Sequence, residues 1–177
     1  MTSNQITFKP LCEDDLVLLH QWFQVPHVKE WYARGVTFSL EMIREKYLPR
    51  LSDPSIPNFI ISYLGKPVGY IQFYHVTDHL PEGVENYSHS LFGDFKANEL
   101  VGIDLFFVDE NILGKGICSK IFTSFVDSHI KGKFRGMVVD PVTSNSRAIV
   151  FFERNGFKRL TSSVDVNHLL MLSENLE

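Results

Sequence analysis

The sequence is poor in cysteine. Only two of its 177 residues are cysteines, Cys12 and Cys118, and neither belongs to a CxxC pair or a Cys/His cluster. A zinc site needs clustered cysteine and histidine ligands, and a small disulfide-bonded domain needs several cysteine pairs. These two classes are therefore excluded, and we expect two buried free thiols.

Long apolar runs and an excess of positive charge are missing as well. No segment approaches the roughly 20 apolar residues that cross a bilayer, and the start MTSNQITFKP lacks a basic stretch followed by an apolar run. We expect a soluble, cytoplasmic protein with no membrane partner. The formal net charge is -4, whereas nucleic-acid binders need clustered Lys and Arg to displace counterions. We expect no nucleic-acid partner, and a small cationic substrate fits the charge better.

Three common ligand-binding motifs do not occur. The histidines never fall at HExxH spacing, so we predict no metal site. The segment LGKGIC, residues 113–118, has neither the GxxxxGK spacing of a Walker A loop nor the GxGxxG spacing of a dinucleotide-binding turn. Nucleoside triphosphates and dinucleotides are therefore disfavoured as ligands.

The residues that are present suit one compact domain over residues 1–177, because 44% of them are hydrophobic and 13% aromatic. Apolar periodicities predict the order β-αα-β-β-β-α-β-α-β-β, an α/β fold in three layers with helices on both faces of a mixed sheet. PHVKEWYARGVTF, residues 26–38, is predicted as a turn between two helices. Ser39 is the expected cap of the second helix, and Pro49 its expected end.

The segment at residues 77–99 has no clear period and is too long for a simple hairpin loop, so we predict a functional lid. From Val76 to Glu110, eight acids stand against one base, a balance that attracts a polycation, although solvation explains most such charges. Three of these acids are candidates for the rim of a cation site: Glu82, Glu85 and Asp94.

The loop LGKG joins the apolar strand LVGIDLFFV to the helix ICSKIFTSFVDSHI. Its small residues let the backbone approach a ligand, the N–H groups at a helix start point outward, and Lys115 and Lys120 add positive charge. Such a loop fits a diphosphate. Glycines also open helices for conformational reasons alone, so the loop by itself leaves both interpretations open.

The surrounding order adds to this. An apolar strand, a glycine loop, a helix, a strand ending in VVDP and then SNSRAIVFFERNGF resemble the GNAT acyltransferase superfamily from Glu99 to Phe157. HVKEWY, PVGYIQFY, VGIDLF and VVDPVTSNSRAI are most similar to its aminoglycoside 6'-N-acetyltransferases. The resemblance implies a three-layer fold with a mixed, mostly antiparallel sheet. It also implies acetyl-coenzyme A as cofactor and direct transfer, in a ternary complex, to a primary amine of a small polycationic acceptor such as an aminoglycoside.

The resemblance also assigns the cofactor contacts. Asn111 stands where the family most often has Gln or Arg, yet the amide donors of the loop remain. We favour a cofactor contact for Asn145, with a helix cap as the alternative, and Cys118 lacks an evident His partner that would make it a nucleophile. A strand N–H freed by a bulge would serve as oxyanion donor. The cofactor-binding residues implied are Phe106, Val108, Leu113, Gly114, Lys115, Gly116, Ile117, Cys118 and Asn145.

The resemblance implies that two aspartates face the acceptor amine. Asp104 interrupts an apolar strand, where a charge is expensive unless it meets a polar cleft or a partner, and we predict it to be the catalytic base. Asp140 follows a strand at the end where ligands bind, although a turn-starting Asp before Pro needs no function. Trp31 and Tyr87 are further candidates for acceptor binding, with core packing as the alternative.

One departure from the family opens other interpretations. Phe152 occupies the place where many GNAT members carry a tyrosine that protonates the leaving thiolate. A coenzyme A-binding protein with weak or no turnover is therefore an alternative. Within enzymes, a siderophore-type or protein N-acyltransferase is the other candidate. We expect a monomer or a homodimer.

Overall fold

The computed structural model describes residues 5–160 and 167–174. Its seven strands form one sheet in the order β1-β2-β3-β4-β5-β7-β6. The pairs β1–β2, β2–β3, β5–β7 and β6–β7 are antiparallel, and β4–β5 is parallel. The predicted α/β class with a mixed, mostly antiparallel sheet is confirmed. The strands are β1 Ile6–Pro10, β2 Asn58–Tyr63, β3 Lys66–His75, β4 Leu100–Phe107, β5 Gly136–Val139, β6 Lys158–Arg159 and β7 Met171–Glu174.

Six α-helices connect these strands: α1 Leu16–Trp22, α2 Pro26–Trp31, α3 Leu40–Tyr47, α4 Leu91–Asp94, α5 Ile117–His129 and α6 Ser146–Arg154. The predicted turn at residues 26–38 is wrong in its first half, because α2 begins there. Pro26 suits a first helical position, where no intrahelical N–H is needed. Ser39 caps α3 as predicted, by accepting the N–H of Met42 at 3.1 Å.

Pro49 does not stop the helical path after α3. A 3-10 helix, Leu48–Ser52, follows directly, with the proline in its first turn. Proline is tolerated there for the same reason as at the start of an α-helix, since its missing N–H would have had no partner. The lid segment at residues 77–99 consists of turns, α4 and a short 3-10 helix at Ala97–Glu99.

The chain divides into two compact units, one made of Met1–Gln72 with Leu105–Cys118 and the other of Phe73–Asp104 with Ser119–Glu177. Single-domain organisation over residues 1–177 stays a prediction. In the first unit, α1, α2 and α3 bury apolar side chains at helical spacing. Full burial of one such side chain stabilises the fold by about 1.5–3 kcal/mol. The members of that core are Leu11, Leu16, Leu19, Trp22, Phe23, Val28, Ala33, Ile43, Tyr47, Ile60, Tyr70 and Phe106.

The second unit has an aromatic core between α5 and α6. The Phe122 ring lies 6.5 Å from that of Phe152 and 6.1 Å from that of Phe157, and Phe152 and Phe157 are 5.3 Å apart. Phe152 is 8% exposed. Helix α6 is positioned by its cap, because Asn145 Oδ1 accepts the N–H of Ala148 at 3.2 Å.

A close approach inside the second unit depends on one glycine. A Cβ atom at Gly102 in β4 would overlap the ring of Tyr74 in β3. A glycine inside a strand often marks such an approach, since it leaves room for a neighbouring group above the sheet. The Tyr74 ring therefore lies over the face of β4 that carries Gly102.

Substituting this glycine tests the packing. We predict that Gly102→Ala lowers the free energy of unfolding by about 1–3 kcal/mol, the usual cost of overpacking, in denaturant titrations. Gly93→Ala is the matched control, because nothing lies within 4 Å of the added methyl group there. Replacing Tyr74 by leucine in the Gly102→Ala background should recover part of the loss. Equal stabilities of the two alanine variants would contradict the packing.

Candidate active site

The candidate site in the second unit begins where two parallel strands stop pairing. The ladder joins Leu100–Gly102 of β4 to Gly136–Val138 of β5, with Gly102 opposite Val138. Asp104 lies two residues beyond Gly102, and Asp140 two residues beyond Val138. Since alternate residues share a face of a strand, both aspartates occupy equivalent positions on the face that carries Gly102. Both side chains are half-buried.

The Tyr74 hydroxyl belongs to the same cluster. Burial, followed by the negative charges of Asp140, Asp104 and Glu82, raises the pKa of the Tyr74 phenol well above its ordinary value. A phenol surrounded by carboxylates keeps its proton, because ionisation would add one more negative charge in a desolvated place. Tyr74 is thus a neutral hydrogen-bond donor among acids at physiological pH. The electrostatics of this cluster favour a bound cation.

Asp140 also binds the lid segment. Its Oδ2 accepts the backbone N–H of Glu82 at 2.7 Å. The alternative explanation of Asp140, a turn-starting residue before proline, does not account for this contact, which spans 58 positions of sequence. The same contact brings Glu82, a candidate rim acid, to the cluster. No comparable contact of Glu85 or Asp94 with these aspartates is seen among the described residues.

The glycine loop lies in the first unit and follows Asp109, whose carboxylate is held by several contacts. Asp109 accepts hydrogen bonds from the Asn111 backbone N–H at 2.9 Å and from its Nδ2 at 3.0 Å, and forms an ion pair with Lys66 at 3.0 Å. These contacts, the backbone N–H of Asn111 first, lower the pKa of the Asp109 carboxyl. Asn111 therefore orders the entrance to the loop.

The loop itself fits a diphosphate. Gly114 has φ +72 and Gly116 φ +77, a region that glycine adopts without strain, and nothing lies within 4 Å of a Cβ built on either. Both glycines and Lys115 are exposed, and α5 begins directly afterwards at Ile117. The loop is therefore an open main-chain surface at a helix start with one cation on it. Side chains do not fill it, and anions bind at such helix starts.

The thiol of Cys118 faces inward below this loop. Its Sγ contacts the Ile112 carbonyl oxygen at 3.7 Å, and burial raises the pKa of the Cys118 thiol to about 11. It therefore stays protonated at neutral pH and is a poor nucleophile. Cys118 is buried as expected, whereas Cys12 is exposed, so the expectation of two buried thiols is wrong for Cys12. Cys12 escapes burial because its thiol bonds the Asp15 carboxylate at 3.2 Å on the surface.

The carboxyl end of β4 belongs to the first unit. The Phe106 ring packs in the aromatic core, 5.6 Å from Tyr70 and 4.6 Å from Tyr32, so a cofactor contact falls to its main chain. The Val108 N–H donates to the Val68 carbonyl at 2.8 Å. That N–H is therefore used within the protein. Its use excludes Val108 as the oxyanion donor expected from this strand and leaves its carbonyl for the predicted cofactor contact.

The remaining predicted residues lie at three different places. Trp31 ends α2 in the first unit and is half-buried. Tyr87 donates its hydroxyl to the carbonyls of Val76 and Thr77, and lines a cavity of about 480 Å³ beside residues that precede β4 and β5. This is the end of β4 opposite Asp104. Asn145 uses its side-chain oxygen to cap α6, which leaves its amide nitrogen for the predicted cofactor contact.

Sequence patterns missed two residues of these sites. Tyr74 ends the segment PVGYIQFY, whose resemblance to the family assigns this residue no role, but the glycine inside LVGIDLFFV indicates that a bulky group crosses that strand. His27 is one of the histidines that lack a metal-ligand spacing, yet its Nε2 lies 2.6 Å from the Phe107 carbonyl oxygen. A carbonyl only accepts, so His27 Nε2 carries the hydrogen and donates. No sequence signal links residues that far apart in the chain.

Comparison with known proteins identifies the family. The family described as an acetyltransferase (GNAT) domain matches residues 12–164. The chain belongs to the GNAT acetyltransferases. This GNAT chain is 28% identical over 162 residues to the aminoglycoside N(6')-acetyltransferase type 1 of Klebsiella pneumoniae, covering 89% of this chain and 76% of that protein. The protein of the same name from Serratia marcescens matches with 28% identity over 162 residues as well.

Solved structures agree with this assignment. Aminoglycoside acetyltransferase AAC(6')-Ib in complex with coenzyme A and kanamycin matches with a TM-score of 0.75 and 26% identity, covering 96% of this chain and 95% of that one. The same enzyme with paromomycin and acetyl-coenzyme A gives a TM-score of 0.76 and 25% identity, covering 97% and 94%. The predicted GNAT fold, the resemblance to this family and the acyltransferase class of the enzyme are confirmed.

Within residues 5–160 and 167–174, no helix combines the length and apolar character needed to cross a membrane. The same residues contain no group of three or more His, Cys, Asp or Glu side chains placed to hold a metal ion.

The raised pKa of Tyr74 predicts a pH dependence of stability. As pH rises past about 10, the unfolded chain loses this phenol proton first, so the stability associated with the neutral phenol is present below pH 10 and lost above it. We expect Tyr74→Phe to lose less stability than the wild type between about pH 10 and 12. Denaturant midpoints at stepwise pH measure this. If the denaturant midpoints of the two proteins fell equally steeply with pH, the environment assigned to Tyr74 would be contradicted.

Proposed function

We propose that this GNAT protein transfers an acetyl group from acetyl-coenzyme A to a primary amine of a small polycationic acceptor, in one step within a ternary complex. The observation that supports this most directly is the convergence of Asp104, Asp140 and Glu82 on Tyr74. Three acids around a neutral donor attract ammonium groups. The names of the curated relatives favour an aminoglycoside as the acceptor class.

Asp104 acts on the acceptor. An amine at neutral pH is mostly ammonium and cannot attack a thioester before a proton leaves. The Asp104 carboxylate anchors the ammonium ion and takes that proton, directly or through water, before the nitrogen attacks. Its half-buried position within β4 holds the carboxylate in place without sealing it from the acceptor.

The glycine loop acts on the cofactor. Acetyl-coenzyme A supplies the acetyl group as a thioester, and the loop's part is to hold its diphosphate. The main-chain N–H groups of residues 114–118 would hold the phosphates, and Lys115 would add a charge. The Leu113 N–H takes no part, because it donates to the Glu110 carbonyl at 3.3 Å. Asn145, Phe106 and Val108 complete the proposed contacts through the Asn145 amide and the main chain of the other two.

Protonation of the departing thiolate has no evident donor at α6. Phe152 has no hydroxyl and lies in the aromatic core with Phe122 and Phe157. A thiol has a pKa of about 8.5, so a thiolate can leave at neutral pH without a proton from a protein acid, and water can protonate it afterwards. This feature favours a second candidate function, a coenzyme A-binding protein with slow turnover.

Removing the proposed base tests the first candidate. We predict that Asp104→Asn, which keeps shape but loses charge and basicity, lowers kcat by about 10²–10⁴-fold and leaves coenzyme A affinity unchanged. Thiol release with a panel of amines measures turnover, and calorimetry measures affinity. Asp127→Asn is the matched control, because Asp127 is an exposed acid of α5 that is no candidate for the acceptor site. Unchanged turnover in Asp104→Asn would end the assignment.

Restoring a hydroxyl at α6 separates the two candidates. We predict that Phe152→Tyr raises kcat by up to about 10²-fold if thiolate protonation limits turnover. Phe151→Tyr, the half-buried neighbour, is the control for a hydroxyl placed nearby. A wild-type protein that binds coenzyme A but releases no thiol with any amine, together with a Phe152→Tyr variant that does, would favour the slow binding protein.

A further inference from the structure

The lid segment contains a tight turn that is closed by one backbone hydrogen bond. The Val84 N–H donates to the Pro81 carbonyl at 3.1 Å, and Gly83 between them has φ +83. A four-residue turn with positive φ at its third position is a type II turn. Glu82 is the second residue of this turn, so its own N–H points away from the turn's internal hydrogen bond.

Asp140 receives that outward N–H. The bond from Glu82 N to Asp140 Oδ2 is 2.7 Å, the short length typical of a charge-assisted hydrogen bond. The backbone that follows Asp140 is held in turn, because Leu169 N–H donates to the Pro141 carbonyl and Thr143 N–H to the Asn167 carbonyl, both at 2.9 Å. Asp140 is therefore a fixed acceptor to which the turn is attached.

The turn presents Glu82 outward. Pro81 and Val84 on either side are buried, 5% exposed in the case of Val84, while Glu82 itself is exposed. The packing of Pro81 and Val84 and the hydrogen bond to Asp140 together fix the orientation of Glu82. The Glu82 charge reaches the Tyr74 phenol, as do the charges of Asp104 and Asp140.

We propose that Asp140 is a positioning residue: by accepting the Glu82 N–H it fixes the Pro81–Val84 turn so that Glu82 forms a second ammonium-binding point beside Asp104. The inference rests on the proposed function, whose acceptor carries several amines. Asp104 receives the reacting nitrogen. Glu82 then discriminates between acceptors with a second ammonium group and acceptors with one.

Four variants separate the hydrogen bond from the charges. Asp140→Asn keeps an acceptor oxygen and loses the charge, whereas Asp140→Ala loses both. Glu82→Pro removes the donated N–H and the carboxylate, and proline fits the second position of a type II turn. Glu82→Ala removes the carboxylate alone. The positioning role belongs to the hydrogen bond, and the specificity role to the Glu82 carboxylate.

Hydrogen exchange of the full-length protein tests the positioning role without any turnover. We expect faster amide exchange in peptides covering residues 77–90 for Asp140→Ala and Glu82→Pro, by about tenfold or more, with near wild-type exchange for Asp140→Asn and Glu82→Ala. The double variant Asp140→Ala/Glu82→Pro should exchange no faster than either single variant. Wild-type exchange in Asp140→Ala would overturn the positioning role.

Acceptor binding and kinetics test the specificity role. With amines carrying several ammonium groups, we expect Glu82→Ala to raise KM and the calorimetric Kd about tenfold at unchanged kcat, and to leave the values for monoamines unaltered. Equal effects on both amine classes would overturn the role of Glu82. Calorimetry also distinguishes the two possible failures. If the wild-type protein binds amines but does not acetylate them, the proposed function alone is refuted. If the wild-type protein binds amines with one and with several ammonium groups equally tightly, this inference is refuted.

Discussion

The packing of the Tyr74 ring against bare backbone at Gly102 is the constraint on which the candidate acceptor site depends. It brings a phenol from β3 over the face of β4 from which Asp104 projects. A side chain at Gly102 would overlap that ring and displace it, and the aspartates would then lose the neutral phenol that lies near them. A glycine placed in an apolar strand at some cost in chain entropy thus determines the electrostatics of the site.

The second requirement is that like charges be held together. Three carboxylates around one point repel each other, and the fold offsets this repulsion locally. Asp140 accepts a main-chain N–H, Tyr74 stays neutral, and Glu82 remains exposed to water at a turn. The site is organised before binding, which reduces the ordering required of the acceptor complex.

Much of this was readable from sequence because local patterns determined it. The apolar periods of α1, α3 and α5, the cap at Ser39 and the glycine loop before α5 depend on residues close in the chain, and all appear as predicted. Asp104 was singled out because a charge in an apolar strand needs a reason. Helix α2 was missed because tertiary packing of a short segment, with a proline at its start, decided between turn and helix.

The contacts that sequence reasoning missed join distant positions. The bond between Glu82 and Asp140 and the ring of Tyr74 over Gly102 depend on how strands and turns meet, which no local period encodes. Exposure of Cys12 likewise depends on a surface contact with Asp15. The residue types at the site were therefore predictable, whereas their partners were not. Phe152 shows the converse: its substitution was visible in sequence, and the structure adds the aromatic core that accommodates it.

The bond between His27 and the Phe107 carbonyl has a consequence for behaviour in acid. A neutral imidazole donates through Nε2 only in one tautomer, but an imidazolium donates from both nitrogens. Either form of the ring can therefore keep this hydrogen bond, so the terminus of β4 stays anchored whichever form is present. A loss of activity in acid would then point to a part of the molecule other than this strand end.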